Sequence, residues 1–156
     1  MDDPQHPNQP QRPRTNGGLR RFPIDHTTAP LVREMVLIVE NEETNRRLME
    51  QILGFAGFRY LSARDGAEAL TLLDHYHVDI VLLDLSMPVL DGFQVTQLIR
   101  CRPEGVTLPI IAVTAHAMSE DRELALQAGC TDYLAKPFRP HDLVHAVERL
   151  LYQSAS

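Results

Sequence analysis

From Glu34 onward, short apolar runs alternate with amphipathic stretches of ten to fourteen residues, a pattern that predicts repeated strand–helix units. Met35-Val36-Leu37-Ile38-Val39 is the first run. After it Leu48, Ile52, Leu53 and Phe55 recur at helical spacing, and Gly54 and Gly57 supply stop signals. Arg59 to Ala63 reads as a second strand and Gly66 to Leu73 as a second helix, with Ala67, Leu70 and Leu73 on its apolar side. Asp79-Ile80-Val81-Leu82-Leu83 follows, and its unbroken apolar centre fits a strand buried on both faces; it ends at Asp84. A third helix begins near Gly92 with Phe93, Val95, Leu98 and Ile99 as its apolar residues, and Pro103 lies just past its end. Pro109 to Thr114 is a fourth strand. Ser119 to Ala128 reads as a fourth helix with Ser119 as N-cap, Glu120, Asp121 and Glu123 as its acidic start, and Gly129 just beyond its last turn. Thr131 to Ala135 is a fifth strand, and a last helix runs from about Pro140 to Tyr152 with Leu143, Val144, Val147, Leu150 and Leu151 inward.

Five strands alternating with five helices predict an α/β fold, a doubly wound parallel sheet of five strands. Right-handed crossovers return each helix to one face or the other. Ligand sites in such sheets form beyond the carboxyl ends of the strands.

The first thirty residues differ in texture. Pro4, Pro7, Pro10, Pro13, Pro23 and Pro30 are interleaved with Gln, Asn and Gly17-Gly18, and no apolar period is present. Such a segment buries too little to offset its ordering entropy, so residues 1–33 are expected to form a disordered Pro-rich extension and residues 34–156 one domain. A docking arm is the alternative role for the extension. The chain's 156 residues suffice for a core without disulfides or metal staples. Cys101 and Cys130 lack the spacing of a disulfide framework or a CxxC site and are read as reduced thiols.

Charge is divided unevenly. Residues 1–33 carry five arginines against three aspartates, or +2, which leaves −8 for the remainder of a total of −6. An acidic globular part argues against a nucleic-acid surface, which needs clustered Lys and Arg. No apolar stretch approaches the roughly 18 residues of a membrane span, and no apolar leader follows the N-terminus, so a cytoplasmic protein is expected.

The residues that follow the apolar runs are Glu40 and Asn41, Asp84, Thr114 and Lys136. Strand ends in a parallel sheet share one edge, so these side chains should face one cleft. Two carboxylates, an amide, a hydroxyl and an amine suit a hard divalent cation beside a phosphoryl group, and magnesium fits better than zinc because no His or Cys belongs to the set. Asp84 would attack phosphorus, while Lys136 and Thr114 would bind oxygens facing away from the metal. Lys136 is also the sole lysine beside fourteen arginines. It stands where a compact ammonium can act as a point charge on a phosphoryl oxygen.

These residues resemble the receiver domain of bacterial two-component response regulators, of the stand-alone, chemotaxis-regulator-like kind. Val39-Glu40-Asn41-Glu42-Glu43-Thr44-Asn45-Arg46-Arg47 is similar to the family's acidic-pair segment, and Asp84-Leu85-Ser86-Met87-Pro88-Val89-Leu90-Asp91-Gly92 to its phosphoacceptor loop. Val113-Thr114-Ala115-His116-Ala117 and the segment from Ala128 to Phe138 complete four motifs in order across residues 34 to 152. The resemblance implies a flavodoxin-like strand order 2-1-3-4-5. It also implies that Asp84 is phosphorylated by a sensor histidine kinase or a histidine phosphotransfer protein. Magnesium would be held by Glu40, Asn41, Asp84 and the backbone carbonyl of Ser86. Thr114 would move onto the phosphoryl group and Tyr133 turn inward, reshaping a surface around helix four, strand five and helix five that a downstream protein reads. Ser86 and His116 occupy the two positions that tune hydrolysis.

One departure stands out. The family usually has a second acid where Asn41 stands, so magnesium is expected to bind weakly.

Simpler readings exist for each residue. Asp84 alone is a solvated strand-end acid, Thr114 an ordinary β-branched strand residue, and Tyr133 half-buried core. His141 and His145 stand one helical turn apart, a chelate spacing, but with no third ligand they read as a solvated helix face. His75 and His77 read as loop residues, and Gly92 and Gly129 as backbone punctuation. At the level of function, a phosphoacceptor without catalytic output of its own competes with a scaffold that binds partners unphosphorylated, which Asn41 favours. A small phosphatase with Asp84 as nucleophile would need a second general acid that the sequence does not display. Only four residues follow Tyr152, so no output domain is expected after it.

Overall fold

The computed structural model is described for residues 33–87, 90–115 and 119–153, the side chains of Ser119 and Gln153 excepted. The order is β1 (Met35–Val39), α1 (Glu43–Phe55), β2 (Arg59–Ala63), α2 (Gly66–His75), β3 (Ile80–Asp84), α3 (Gly92–Arg100), a 3-10 turn (Pro103–Gly105), β4 (Ile110–Thr114), α4 (Ser119–Ala128), β5 (Asp132–Ala135) and α5 (Pro140–Gln153). The strands form one parallel sheet in the order β2-β1-β3-β4-β5, the arrangement expected.

Alternation along the strands sorts the core into two layers. Leu37, Val39, Val81, Leu83, Ile110 and Ala112 face Ala69 of α2, Val95 and Ile99 of α3, and Ala125 of α4. Val36, Ile38, Ile80, Leu82, Ile111 and Val113 face Met49, Ile52 and Leu53 of α1 and Leu143 and Val147 of α5. Every residue of β3 and β4 is buried, which is why those runs are continuously apolar rather than alternating.

Several side chains depart from the expected faces. Met49 is buried on α1, whereas Leu48 is 45% and Phe55 97% exposed; Leu98 of α3 and Ala67 of α2 also face outward. The physical reason is that helical period assigns an arc, while the strand beneath selects only part of it. Helix α2 runs two residues past Leu73, so His75 belongs to its last turn and its Nδ1 bonds the Thr71 carbonyl at 2.8 Å. Ser119 is the first residue of α4 rather than its cap. Cys101 is exposed and Cys130 buried, both unpaired.

Local chemistry explains the helix starts near the strand ends. Asp65 accepts from the Glu68 amide at 2.8 Å, and Asp91 and Gln94 form a reciprocal capping box at α3. Arg100 closes the far end of α3. Its guanidinium donates to the carbonyls of Gly129 (2.9 Å), Gly105 (2.5 Å) and Leu108 (2.6 Å), tying the α3–β4 and α4–β5 connections together. At Arg33 the chain is anchored by its guanidinium, 4.3 Å over the Phe58 ring, and by a bond to the Ala56 carbonyl. Residues 1–32, on which the expected extension falls, lie outside the described residues.

Gly105 is buried where α3 turns toward β4, and a Cβ there would stand 1.8 Å from the Ile99 carbonyl oxygen. Backbone must move to admit it. Gly105→Ala is expected to destabilise the fold by roughly 1–3 kcal/mol, read as a lower urea midpoint at unchanged slope; an unaltered midpoint would contradict the packing described.

Candidate phosphoacceptor cleft

Beyond the carboxyl edge of the sheet, Glu40, Asn41, Glu42, Glu43, Asn45, Asp84, Ser86, Ala115 and Lys136 line one cleft. It opens at the ends of β1 and β3, where crossovers leave toward opposite faces of the sheet, α1 on one side and α2 and α3 on the other.

Each polar group is placed by its strand. Asp84 is the last residue of β3 and 6% exposed; its Oδ1 accepts the Ser86 amide at 3.0 Å. Gly92 lets the loop fold back tightly, since a Cβ there would lie 2.6 Å from the Asp84 carbonyl oxygen. Glu40 follows β1 and is 1% exposed, with its amide bonded to the Ala63 carbonyl of β2. Lys136 follows β5, and its amide donates to the Thr114 carbonyl at 2.8 Å, which aligns the lysine with the end of β4.

The lysine ammonium bridges the two acids. Lys136 Nζ lies 2.8 Å from Glu40 Oε1 and 3.7 Å from Asp84 Oδ2. Burial, then hydrogen bonding to Asp84, pushes the Glu40 carboxyl up to about 7 from 4.5 against the opposing pull of Lys136. Its second oxygen, Oε2, is buried without a hydrogen-bond partner among the described residues. A buried orphaned acceptor beside a second carboxylate is a place for a cation, and all the donors at hand are oxygens: Glu40, Asp84, the Asn41 amide and the Ser86 carbonyl. This set fits magnesium rather than a softer ion. No group of three or more His, Cys, Asp or Glu among the described residues is arranged to hold a metal.

Thr114 is 1% exposed at the end of β4 and does not itself line the cleft, although its neighbour Ala115 does. Tyr133 lies on β5 beside Ala112 and packs into the α2–α3–α4 layer. Its hydroxyl is buried without a hydrogen-bond partner among the described residues, and burial raises its pKa. His116 lies outside the described residues.

Two contributors escaped the sequence reading. Arg46 Nη1 donates to the Glu40 carbonyl at 3.1 Å, and Asn45 of α1 lines the cleft and donates to Glu42 at 2.9 Å. Their signal was position: both lie within one turn of the start of α1, where side chains point back toward the strand end.

Fold and cleft together define a class, a doubly wound α/β domain with a carboxylate–lysine centre at its switch point. The family is then plain: residues 36–148 match the model of the response regulator receiver domain, and the chain belongs to that family of two-component signalling modules. It is 44% identical over 103 residues to the sensor histidine kinase RcsC of Escherichia coli (strain K12), covering 66% of this chain but only 11% of that protein. It is 34% identical over 116 residues to the polar-differentiation response regulator DivK of Brucella ovis, covering 74% of this chain and 94% of DivK. Among solved structures, Vibrio cholerae chemotaxis protein CheY4 superposes with a TM-score of 0.74 at 29% identity, over 76% of this chain and 99% of that one. The receiver domain of sensor histidine kinase PA1611 from Pseudomonas aeruginosa PAO1, determined with a magnesium ion coordinated in its active site cleft, gives 0.72 at 39% identity, over 76% and 98%. Among the described residues no helix is long and apolar enough to cross a membrane.

The Glu40 carboxyl carries a pH signature. The folded state holds a proton between about 4.5 and 7 that the unfolded chain has released, so stability falls as pH rises through that window. Urea unfolding of wild type measured against Glu40→Gln is expected to show wild type losing ground across this interval and a flat difference outside it. A difference independent of pH would contradict the assignment.

Proposed function

We propose that this chain is a phosphoacceptor switch, phosphorylated on Asp84 by a phosphohistidine of a sensor histidine kinase or phosphotransfer protein and read by protein partners. The observation that carries the reading is the single ammonium placed between two buried carboxylates, 3.7 Å from Asp84. An Asp84 carboxylate oxygen forms the new bond to phosphorus as the phosphorus–nitrogen bond breaks, and the electron pair stays with the imidazole, which takes up a proton. Lys136 needs to shift little from Glu40 to meet an oxygen of the incoming group, and Thr114 offers a hydroxyl from the neighbouring strand. Glu40, Asn41, Asp84 and the Ser86 carbonyl are the groups that would hold magnesium, whose charge offsets that of the transferring oxygens.

The domain catalyses no turnover beyond gain and loss of its own phosphoryl group. A downstream protein is assigned to the face of α4, β5 and α5, where Leu124 and Leu126 are exposed and Arg149 pairs with Asp132. Tyr133, on the same strand as Asp132, is assigned to the same face as a residue whose hydroxyl is buried with no hydrogen-bond partner among the described residues. Ser86 is exposed beside Asp84 and is assigned, with His116, to tuning hydrolysis. Nothing in the acidic cleft suits nucleic acid, and a cytoplasmic location accords with this chemistry.

A second reading rests on Asn41, which lines the cleft where a carboxylate would strengthen cation binding: a receiver-like scaffold that works unphosphorylated. Incubation with acetyl phosphate and magnesium separates the two. A mass gain of one phosphoryl group, absent in Asp84→Asn, is expected; no gain in wild type would leave the scaffold. Asn41→Asp restores one negative charge and is expected to tighten magnesium binding by roughly several-fold, measured by titration, and an unchanged affinity would exclude Asn41 from the metal shell.

A further inference from the structure

We propose that His141 and His145 form a two-imidazole site for a borderline divalent transition ion on α5, separate from the phosphoacceptor cleft. From spacing alone the pair reads as a solvated helix face; the structure adds three observations. First, both side chains are exposed and both rings lie together, with centroids 5.9 Å apart and planes within 22°. Two imidazoles bound cis to one ion at about 2.0–2.1 Å place their centroids roughly 4.5–5 Å apart. The pair therefore needs to close by only about 1 Å, within reach of small side-chain rotations.

Second, neither ring has a protein hydrogen-bond or ion-pair partner among the described residues. Of the four histidines among the described residues, His75 bonds the Thr71 carbonyl at 2.8 Å and His77 pairs with Asp79 at 2.9 Å, whereas no hydrogen bond or ion pair engages His141 or His145. Their ring nitrogens are free to coordinate without displacing a protein contact. Third, the helix beneath them is packed against the sheet. Leu143, Ala146 and Val147 of the same two turns are buried against the sheet, so the pair is held on a fixed backbone and loses little entropy on chelation.

The ligand chemistry follows from the donors. Two neutral nitrogens favour copper(II), nickel(II) or zinc(II) over magnesium, which takes oxygen, and copper(II) binds most tightly of the series. Water completes the shell, because no third His, Cys, Asp or Glu among the described residues joins the pair. His141 also lines a shallow hollow between α1 and α5 with Leu48, Phe55 and Val144, so the ion would sit at its lip.

Nickel(II)–nitrilotriacetate is the probe, since its chelator leaves two adjacent coordination positions open. Calorimetric titration of the full chain, with magnesium present, is expected to show one site, weakened about tenfold or more in His141→Ala and in His145→Ala, because either change removes the gain from joint attachment. Paramagnetic broadening of imidazole NMR signals should strike His141 and His145 first. Both residues are exposed and neither lines the cleft, so the folded state and acetyl phosphate labelling should persist in both variants. Wild-type affinity in either variant, or binding lost only when His6 or His26 is replaced, would overturn the proposal.

Discussion

A parallel sheet covered on both faces has nowhere to place a polar side chain except at its rims, and the rest of this molecule follows from that restriction. With β3 and β4 buried along their whole length, Asp84 and Thr114 are the first positions at which those strands can carry oxygen chemistry. Glu40 and Lys136 occupy the equivalent places beside β1 and β5. Because all the strands run the same way, Glu40, Asp84 and Lys136 converge on one cleft although nearly a hundred positions separate the first from the last, and Thr114 is buried at the neighbouring strand end. The helices sort themselves by the same rule, α1 and α5 on one layer, α2, α3 and α4 on the other.

Convergence sets the electrostatics. Two acids brought out of water beside each other are costly, and the Lys136 ammonium between them offsets part of that cost. The remainder shows as the raised Glu40 pKa and as a buried carboxylate oxygen with no partner among the described residues. The lysine sits closer to Glu40, at 2.8 Å, than to Asp84, at 3.7 Å. Asn41 lines the same cleft with an amide, an oxygen donor without negative charge.

Strand positions and the cleft residues were legible because both are written in one dimension: a run of apolar residues and the polar residue after it. Helix faces were less so. Phe55 and Leu48 satisfy helical spacing as well as Met49 does, yet Met49 meets the sheet and the other two meet solvent. His75 reads as a loop residue because it lies where the second helix gives way to the third strand, whereas α2 runs two residues past Leu73 and the His75 ring bonds the Thr71 carbonyl within its last turn. Arg46 was invisible as a support of the cleft, since its partner is a backbone carbonyl and leaves no trace in residue type.

The amino-acid order by itself determined the fold class, the sheet's orientation and the identity of the groups at its carboxyl rim, because burial on two faces dictates continuous apolar strands and excludes charge from them. Only the tertiary structure decided which acid the lysine favours, which carboxylate oxygen lacks a partner among the described residues, and that the rings of two histidines on α5 stack. Those are matters of distances between residues remote in the chain or of side-chain rotation about the backbone. Sequence periodicity carries information about neither.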